Sequence, residues 1–478
     1  MLLYAIILAP LLFALGAALL PADRHRPKLL PTAAFIHLIF VFQAISTTPT
    51  TSGEYLGLDA LSRLILLVVS LLFAAIAVYA LGYFRQHRGW SNRTFIACLL
   101  IFLGVMSLAT MARHLGLVWV AVEATTLVSA PLIYYNHNRF SIEATWKYLL
   151  LGSVGIALAM LGIFFMGYAG LQGAGKGILQ FDYMLAAAPS YSKPWLRAGF
   201  VFLLVGFGTK MGLAPLHTWK PDAYGEAPGL VGGLLAGGLT SVAFLAILRA
   251  MQIMAAAGEL QLARQALLSL GVCSLLFAAL FVIRQRDIKR MLAYSSVEHM
   301  GLLAIGVSIG GTATFGAMFH IMNNALTKGV LFMAAGNIHR FYGSKKVCEM
   351  QGSLSVLPLS SALFLVGFLA ITGSPPFGPF LSEFTMLRGM VEEGHYLLAG
   401  VVLLLLAMVF VGMSSTVLPA TMGPPLEKPP DADAFRDSFL TTASPLVLLA
   451  VVLCLGVWLP APLRDLFTQA ASLLEVKP

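Results

Sequence analysis

Among the ionisable residues inside apolar runs long enough to cross a bilayer, the pertinent ones are Glu123, Lys210, Glu298, His299, His320, Lys328 and Glu383. A charged side chain in hydrocarbon costs roughly 2.5–3.5 kcal/mol on insertion scales, so such residues have a partner or a task. Left unpaired, the set would outweigh the net stability of an ordinary protein. They are therefore expected to face one another across a hydrated interior, and the chemistry open to them there is proton transfer. Glu123 lies in VWVAVEATTLVSAPLIYY and Lys210 in GFGTKMGLAPLHTW. A glutamate beside a lysine keeps both charged. Withdrawing the carboxylate leaves a desolvated ammonium that readily gives up its proton; a static ion pair is the alternative. His320, Asn324 and Lys328 recur at i, i+4 and i+8 in FHIMNNALTKGVLF, on one helix face and at a spacing suited to a water-linked relay. Glu383, in ITGSPPFGPFLSEF, is the natural exit-side donor or acceptor, or else an interfacial helix end. Glu298 and His299, in YSSVEHMG, either join the relay or brace their helix through Ser295 and Ser296. His217 is a candidate entry group, whereas Lys220, Asp222 and Glu226, in HTWKPDAYGEAPG, read as a cytoplasmic loop.

The elements that must position these groups are transmembrane helices. The chain has 478 residues, 59% hydrophobic and 11% charged, against about 25% charged for a soluble domain, so its solvent is lipid. Runs of about 20 apolar residues predict spans near 2–20, 31–46, 58–83, 92–112, 114–136, 144–169, 195–219, 228–251, 264–283, 291–309, 312–338, 355–389, 397–419 and 440–460. The fold class is thus all-α and polytopic, with about fourteen spans. The seventh is interrupted at Gly206, Gly208, Gly212 and Pro215, and the twelfth at Gly373, Pro375, Pro376, Gly378 and Pro379. Broken helices at membrane depth are tolerated where protein or a wet cavity satisfies the freed backbone. The breaks lie five spans apart, and an odd interval gives the two units opposite orientation, as in inverted-repeat transporters.

The net charge of +9 resides in short loops, so it orients the chain instead of binding nucleic acid. The expected cytoplasmic loops hold Arg24/Arg26/Lys28, Arg85/Arg88/Arg93, Arg139/Lys147, Lys220, Arg284/Arg286/Lys289/Arg290 and Arg340/Lys345/Lys346. The opposite loops at 46–57, 310–315 and 390–396 are poor in basic residues. This alternation predicts both termini on the non-cytoplasmic side. The first apolar run has no positive flank before it, which predicts an uncleaved span. Cys98, Cys273, Cys348 and Cys454 show no metal-ligand spacing, so neither a metal site nor a redox cofactor is expected.

KMGLAPLHTWKPDAYGEAP, RDIKRMLAYSSVEHMG, HIMNNALTKGVLFMAAGN and GSPPFGPFLSEF resemble stretches of the antiporter-like subunits of respiratory complex I and its relatives, over about residues 58–420. VEATTLVSAPLIYY and NNALTKGVLFMAAGNIHRFYG look most similar to the hydrogenase-4 component F branch, which belongs to membrane-bound nickel–iron hydrogenases and formate hydrogenlyase-type complexes. The resemblance implies N-terminal helices over 1–90, inverted repeats of helices 4–8 (91–252) and 9–13 (253–420), and a fourteenth helix within 421–478. It implies Glu123 as the fifth-helix glutamate partnered with the seventh-helix Lys210, His320 and Lys328 on a central polar axis, and Glu383 as the twelfth-helix terminal site. Many relatives carry a lysine in the eighth helix. Here the position is Ser241, so the bridge from Lys210 to the axis would rest on water, Thr240 and Ser241. Asn324 stands where some relatives have histidine. The chain also ends soon after the fourteenth span, without the long lateral helix of one branch.

The resulting expectation is a proton-translocating subunit of the bacterial inner membrane with no redox centre of its own. It would be coupled to other membrane subunits and to peripheral nickel–iron hydrogenase-like and iron–sulfur subunits of a complex I-like assembly. The rival readings are a subunit of a multisubunit cation/proton antiporter or inorganic-carbon uptake complex, and a passive membrane anchor.

Overall fold

The computed structural model describes residues 1–47, 51–86, 91–425 and 435–475. Arg88 and residues 48–50 of the expected outer loop lie outside the described residues. The chain is almost entirely helical. Helices α1 (Leu2–Leu19), α2 (Leu29–Thr47) and α3 (Ala60–Gln86) come first. Then follow α4 (Arg93–Met111), α5 (Leu115–Ile133), α6 (Arg139–Ala174), the short α7 (Phe181–Ala187), α8 (Lys193–Met211), α9 (Trp219–Glu226), α10 (Gly229–Gly233) and α11 (Thr240–Ala256). The remainder is α12 (Leu260–Val282), α13 (Ile288–Ile309), α14 (Gly311–Tyr342), α15 (Pro358–Ile371), α16 (Gly378–Glu392), α17 (Tyr396–Met422), α18 (Phe439–Val457) and α19 (Ala461–Ser472).

Among the described residues eleven helices are long and apolar enough to cross a membrane, and a bent pair ending in α15 makes twelve. Helices α8 and α14 fall short because they carry the polar residues of interest; adding these two to the twelve gives the fourteen spans expected. Burial follows lipid solvation. The α10–α11 span and α13 lie inside the bundle, while α6, α17 and α18 present Leu150, Val154, Phe164, Leu404 and Val447 outward. The C-terminal α19 was not anticipated. It lies against α3 and α14, with Phe467 packed on Phe319 at 5.4 Å between ring centroids.

Both breaks fall where the glycines and prolines placed them, and they share one construction. Gly212 (φ 80°) ends α8 and Gly373 (φ 69°) follows α15, both in the left-handed region that glycine enters without strain. In each, the next amide closes back five residues: Leu213 N–H donates to the Gly208 carbonyl (2.9 Å), and Ser374 N–H to that of Leu369 (3.0 Å). A cis proline follows three residues after each glycine, at Pro215 and Pro376. The backbone freed at the first break is satisfied by protein. Ala214 N–H donates to Ser274 Oγ (2.8 Å), and Trp219 Nε1 donates to the Thr209 carbonyl (2.8 Å). The α10–α11 span is not a plain helix either. Residues Leu234–Leu239, reading LLAGGL, form a π turn.

Candidate proton-transfer site

The polar residues collect in two clusters within the bundle. The first joins α5, α6 and α8. Lys210 is wholly buried on the last turn of α8. Its ammonium donates to the Thr126 hydroxyl, which in turn donates to Glu123 Oε2 at 3.0 Å. Glu123 and Lys210 therefore do not touch: Thr126, three residues from Glu123 on α5, stands between them. The face of Tyr148 lies 5.1 Å from the ammonium, and Tyr148 Oη is held by Ser129 at 2.7 Å. Ser153 reaches the outer Glu123 oxygen at 3.5 Å.

The second cluster joins α13, α14 and α16. Lys328 donates to Ser295 Oγ (2.7 Å), which donates to Glu298 Oε2 (3.3 Å). His299 Nε2 lies 3.8 Å from that same oxygen, while its Nδ1 shares a 3.0 Å hydrogen bond with His320 Nε2. His320 Nδ1 is bonded to Ser382 Oγ (2.9 Å), and Glu383 Oε1 lies 4.0 Å from His299 Nδ1. His299, His320, Lys328, Glu298 and Ser295 are all at least 97% buried. The hydrogen bonds thus leave the polar stripe of α14. Lys328 and His320 connect through α13, and the Asn324 side chain makes no hydrogen bond among the described residues. The side chain of its neighbour Asn323, His299 Nε2 and Glu383 Oε1 are likewise buried without a hydrogen bond among the described residues. Buried polar groups of this kind are satisfied by ordered water, which suits a hydrated line.

The remaining candidates separate clearly. Thr240 and Ser241 are buried but donate to carbonyls of their own helix, Ala236 and Gly237, both at 2.6 Å. His217 sits in the first break, its ring 5.7 Å from that of Phe277, with Nδ1 unpartnered. Asp222 and Glu226 do lie near the surface, tied to Lys147 (2.9 Å) and Arg290, and to Lys345. Lys220 does not. The loop reading fails for it, because α9 re-enters the bundle after the break and carries Lys220 to full burial, with Nζ 3.1 Å from Ser296 Oγ. Cysteine spacing could not reveal that His299, His320 and Glu383 offer ligand atoms within 4.8 Å of one another, a trio able to hold a cation as well as to pass protons.

Sequence reasoning missed Thr126, Tyr148, Lys220 and Ser382 as neighbours of the charged groups. For Thr126 a signal existed, since a hydroxyl three residues from a buried glutamate lies on its face of the helix. The contact of Ser382 with His320 spans 62 positions and has no local signature.

A bundle of about fourteen spans with two broken helices and buried acid–base chains defines a polytopic ion-translocating membrane protein. The profile of the NADH:quinone oxidoreductase/Mrp antiporter transmembrane family matches residues 112–410, and this chain belongs to that family of antiporter-like, proton-translocating membrane subunits. It is 34% identical over 373 residues to a hydrogenase-4 component F homolog of Methylacidiphilum infernorum, covering 77% of each chain. It is 30% identical to NADH-quinone oxidoreductase subunit N of Desulforudis audaxviator, over 75% of this chain and 70% of that one. Its fold superposes on a chain of the archaeal membrane-bound sulfane sulfur reductase with TM-score 0.86 (21% identity, 99% and 98% of the two chains). It also superposes on one of the Mrp complex of Dietzia sp. DQ12-45-1b with TM-score 0.82 (20% identity, 99% and 98%).

Proposed function

We propose that this chain moves protons for a complex I-like membrane-bound hydrogenase or formate hydrogenlyase-type assembly. Glu123, Lys210, Lys328, Glu298, His299, His320 and Glu383 would be the groups that carry them. The observation that supports this most is the pair of hydroxyl-bridged chains: Glu123–Thr126–Lys210 in one half, with Lys210 buried and Glu123 half-buried, and the buried Lys328–Ser295–Glu298–His299–His320 beside Glu383 in the other. Each hydroxyl can donate and accept at once, so it can relay a proton while holding its neighbours in place.

In this reading, redox chemistry in partner subunits shifts the partnership of Glu123 with Thr126 and Lys210. The ammonium then loses its counter-charge, gives its proton toward Lys328, and the second cluster passes a proton by way of His299 and His320 to Glu383. Moving one charge against the membrane potential costs about 2.3 kcal/mol per 100 mV, so the energy must come from the coupled reaction. The repeats divide as helices 4–8 and 9–13, and both termini face the non-cytoplasmic side of a bacterial inner membrane. The hydrogenase branch is favoured by the component F relative.

The test uses the whole complex, purified through a tag on this chain and reconstituted in proteoliposomes. Lys210→Ala should abolish proton uptake while leaving the partner's redox turnover; intact uptake would overturn the reading. Identifying the copurified subunits decides the assembly: a nickel–iron large subunit supports it, and a set of small antiporter subunits replaces it with a cation/proton antiporter.

A further inference from the structure

We propose that Lys220, on the second half of the broken seventh span, is the proton carrier linking Lys210 to Lys328. The proposal rests on the translocation reading above and fills the gap in it. The expected bridge, Thr240 and Ser241, spends its hydroxyls on its own helix. Lys220 is wholly buried, and its ammonium meets the Ser296 hydroxyl at 3.1 Å and the face of Tyr224 at 5.8 Å.

Two contacts set it against the second cluster and against the end of the helix that carries Lys210. On one side, Ser296 is followed back along α13 by Ser295, the partner of Lys328 at 2.7 Å, so two lysines are held by consecutive hydroxyls. On the other side, the Lys220 side chain runs across the end of α8. A methyl group added at Gly212, two residues beyond Lys210, would lie 2.1 Å from Lys220 Cε and 2.6 Å from its Nζ. The left-handed glycine thus makes room for the amine as well as turning the chain. The second break repeats the device with an acid: a methyl group at Gly373 would lie 2.3 Å from Glu383 Oε2. In each broken span the glycine that ends the first half-helix abuts an ionisable side chain carried by the second.

Among the described residues no carboxylate pairs with Lys220. A buried ammonium without a counter-charge is costly, which suits a group that holds a proton only in transit. The charged and titratable groups that face it are Tyr224 on α9 and Lys328 on α14, with His217 in the break. Each transfer moves one proton. Lys210 becomes neutral as Lys220 becomes an ammonium, and Lys220 returns to the amine as Lys328 takes the proton.

The test compares Lys210→Met, Lys220→Met, Lys220→Arg and Lys220→His in the reconstituted complex, scoring assembly, redox turnover and protons moved per electron. Arginine keeps the positive charge and the hydrogen bonding but cannot release a proton, so a purely structural role would survive in it. The expected result is a tenfold or greater loss of proton movement in K220M and K220R, with partial retention in K220H. Translocation at the wild-type level in K220M or K220R, in a preparation where K210M has lost it, overturns the role of Lys220. If K210M also translocates normally, the underlying reading falls instead. Should K220M fail to assemble, the Arg and His variants decide: retention in His with loss in Arg supports the carrier, and retention in Arg refutes it.

Discussion

Replacing Thr126 by valine removes one hydroxyl and leaves the shape of the side chain nearly unchanged, yet it should uncouple the first cluster. That hydroxyl accepts from the Lys210 ammonium and donates to Glu123 at 3.0 Å. A hydrogen bond to a charged group contributes roughly 1.5–3 kcal/mol. Losing the link on either side therefore disfavours the joined arrangement by roughly 10- to 150-fold. Among the described residues no hydrogen bond replaces it: the ammonium also faces the Tyr148 ring at 5.1 Å, and Ser153 reaches only the far Glu123 oxygen at 3.5 Å. The assay is protons moved per electron in proteoliposomes holding the whole complex, with redox turnover as the control. T126V should fall at least tenfold and T126S should stay near wild type. In the T126V background, E123Q should add little, because the two residues act through one another. Wild-type pumping in T126V would refute the hydroxyl link. Equal loss in T126S and T126V would assign the effect to packing.

Other expectations follow from the same geometry. Ser295→Ala should lower proton movement by a similar factor, since it parts Lys328 from Glu298; unchanged movement would argue that water alone joins them. Gly373→Ala should lower thermal stability by about 1–2 kcal/mol from the left-handed backbone alone and impair translocation, because its methyl would strike Glu383; a melting curve and the proteoliposome assay test both. Asp59 ties the buried Arg249 and Arg113 together, so Asp59→Ala should destabilise by about 3–5 kcal/mol, read as a lower detergent melting temperature with no direct effect on the proton line. Glu259, at the start of α12, has its carboxyl held below the usual range by hydrogen bonds from Arg197 (2.8 and 3.0 Å) and by Lys193. Its contribution is present at neutral pH and fades as pH falls through the depressed value. Glu259→Gln should therefore melt earlier than wild type at pH 7, and the gap should close in strong acid.

What could be read from the sequence was whatever one helix decides alone. Span number follows from run length against bilayer thickness, and α8 and α14 were legible despite their polarity because the flanking residues are apolar. The two breaks were legible because Gly212, Pro215, Gly373 and Pro376 act on their own backbone. Glu123, Lys210, His320 and Lys328 stood out because charge in an apolar run is costly wherever the helix goes. Which groups touch was decided only when the helices packed. The run HTWKPDAYGE looks like a loop in one dimension, and only the return of α9 into the bundle separates Lys220, sealed against Ser296, from Asp222, two residues on and tied to Lys147 and Arg290 near the surface. The crossing from Lys328 to Ser295, and from His299 to His320 and Glu383, joins three helices whose relative rotation no local periodicity sets. Apolar patterning turns a helix toward protein or lipid, but the angular match that brings two hydrogen-bonding atoms within 3 Å comes from close packing of whole helices.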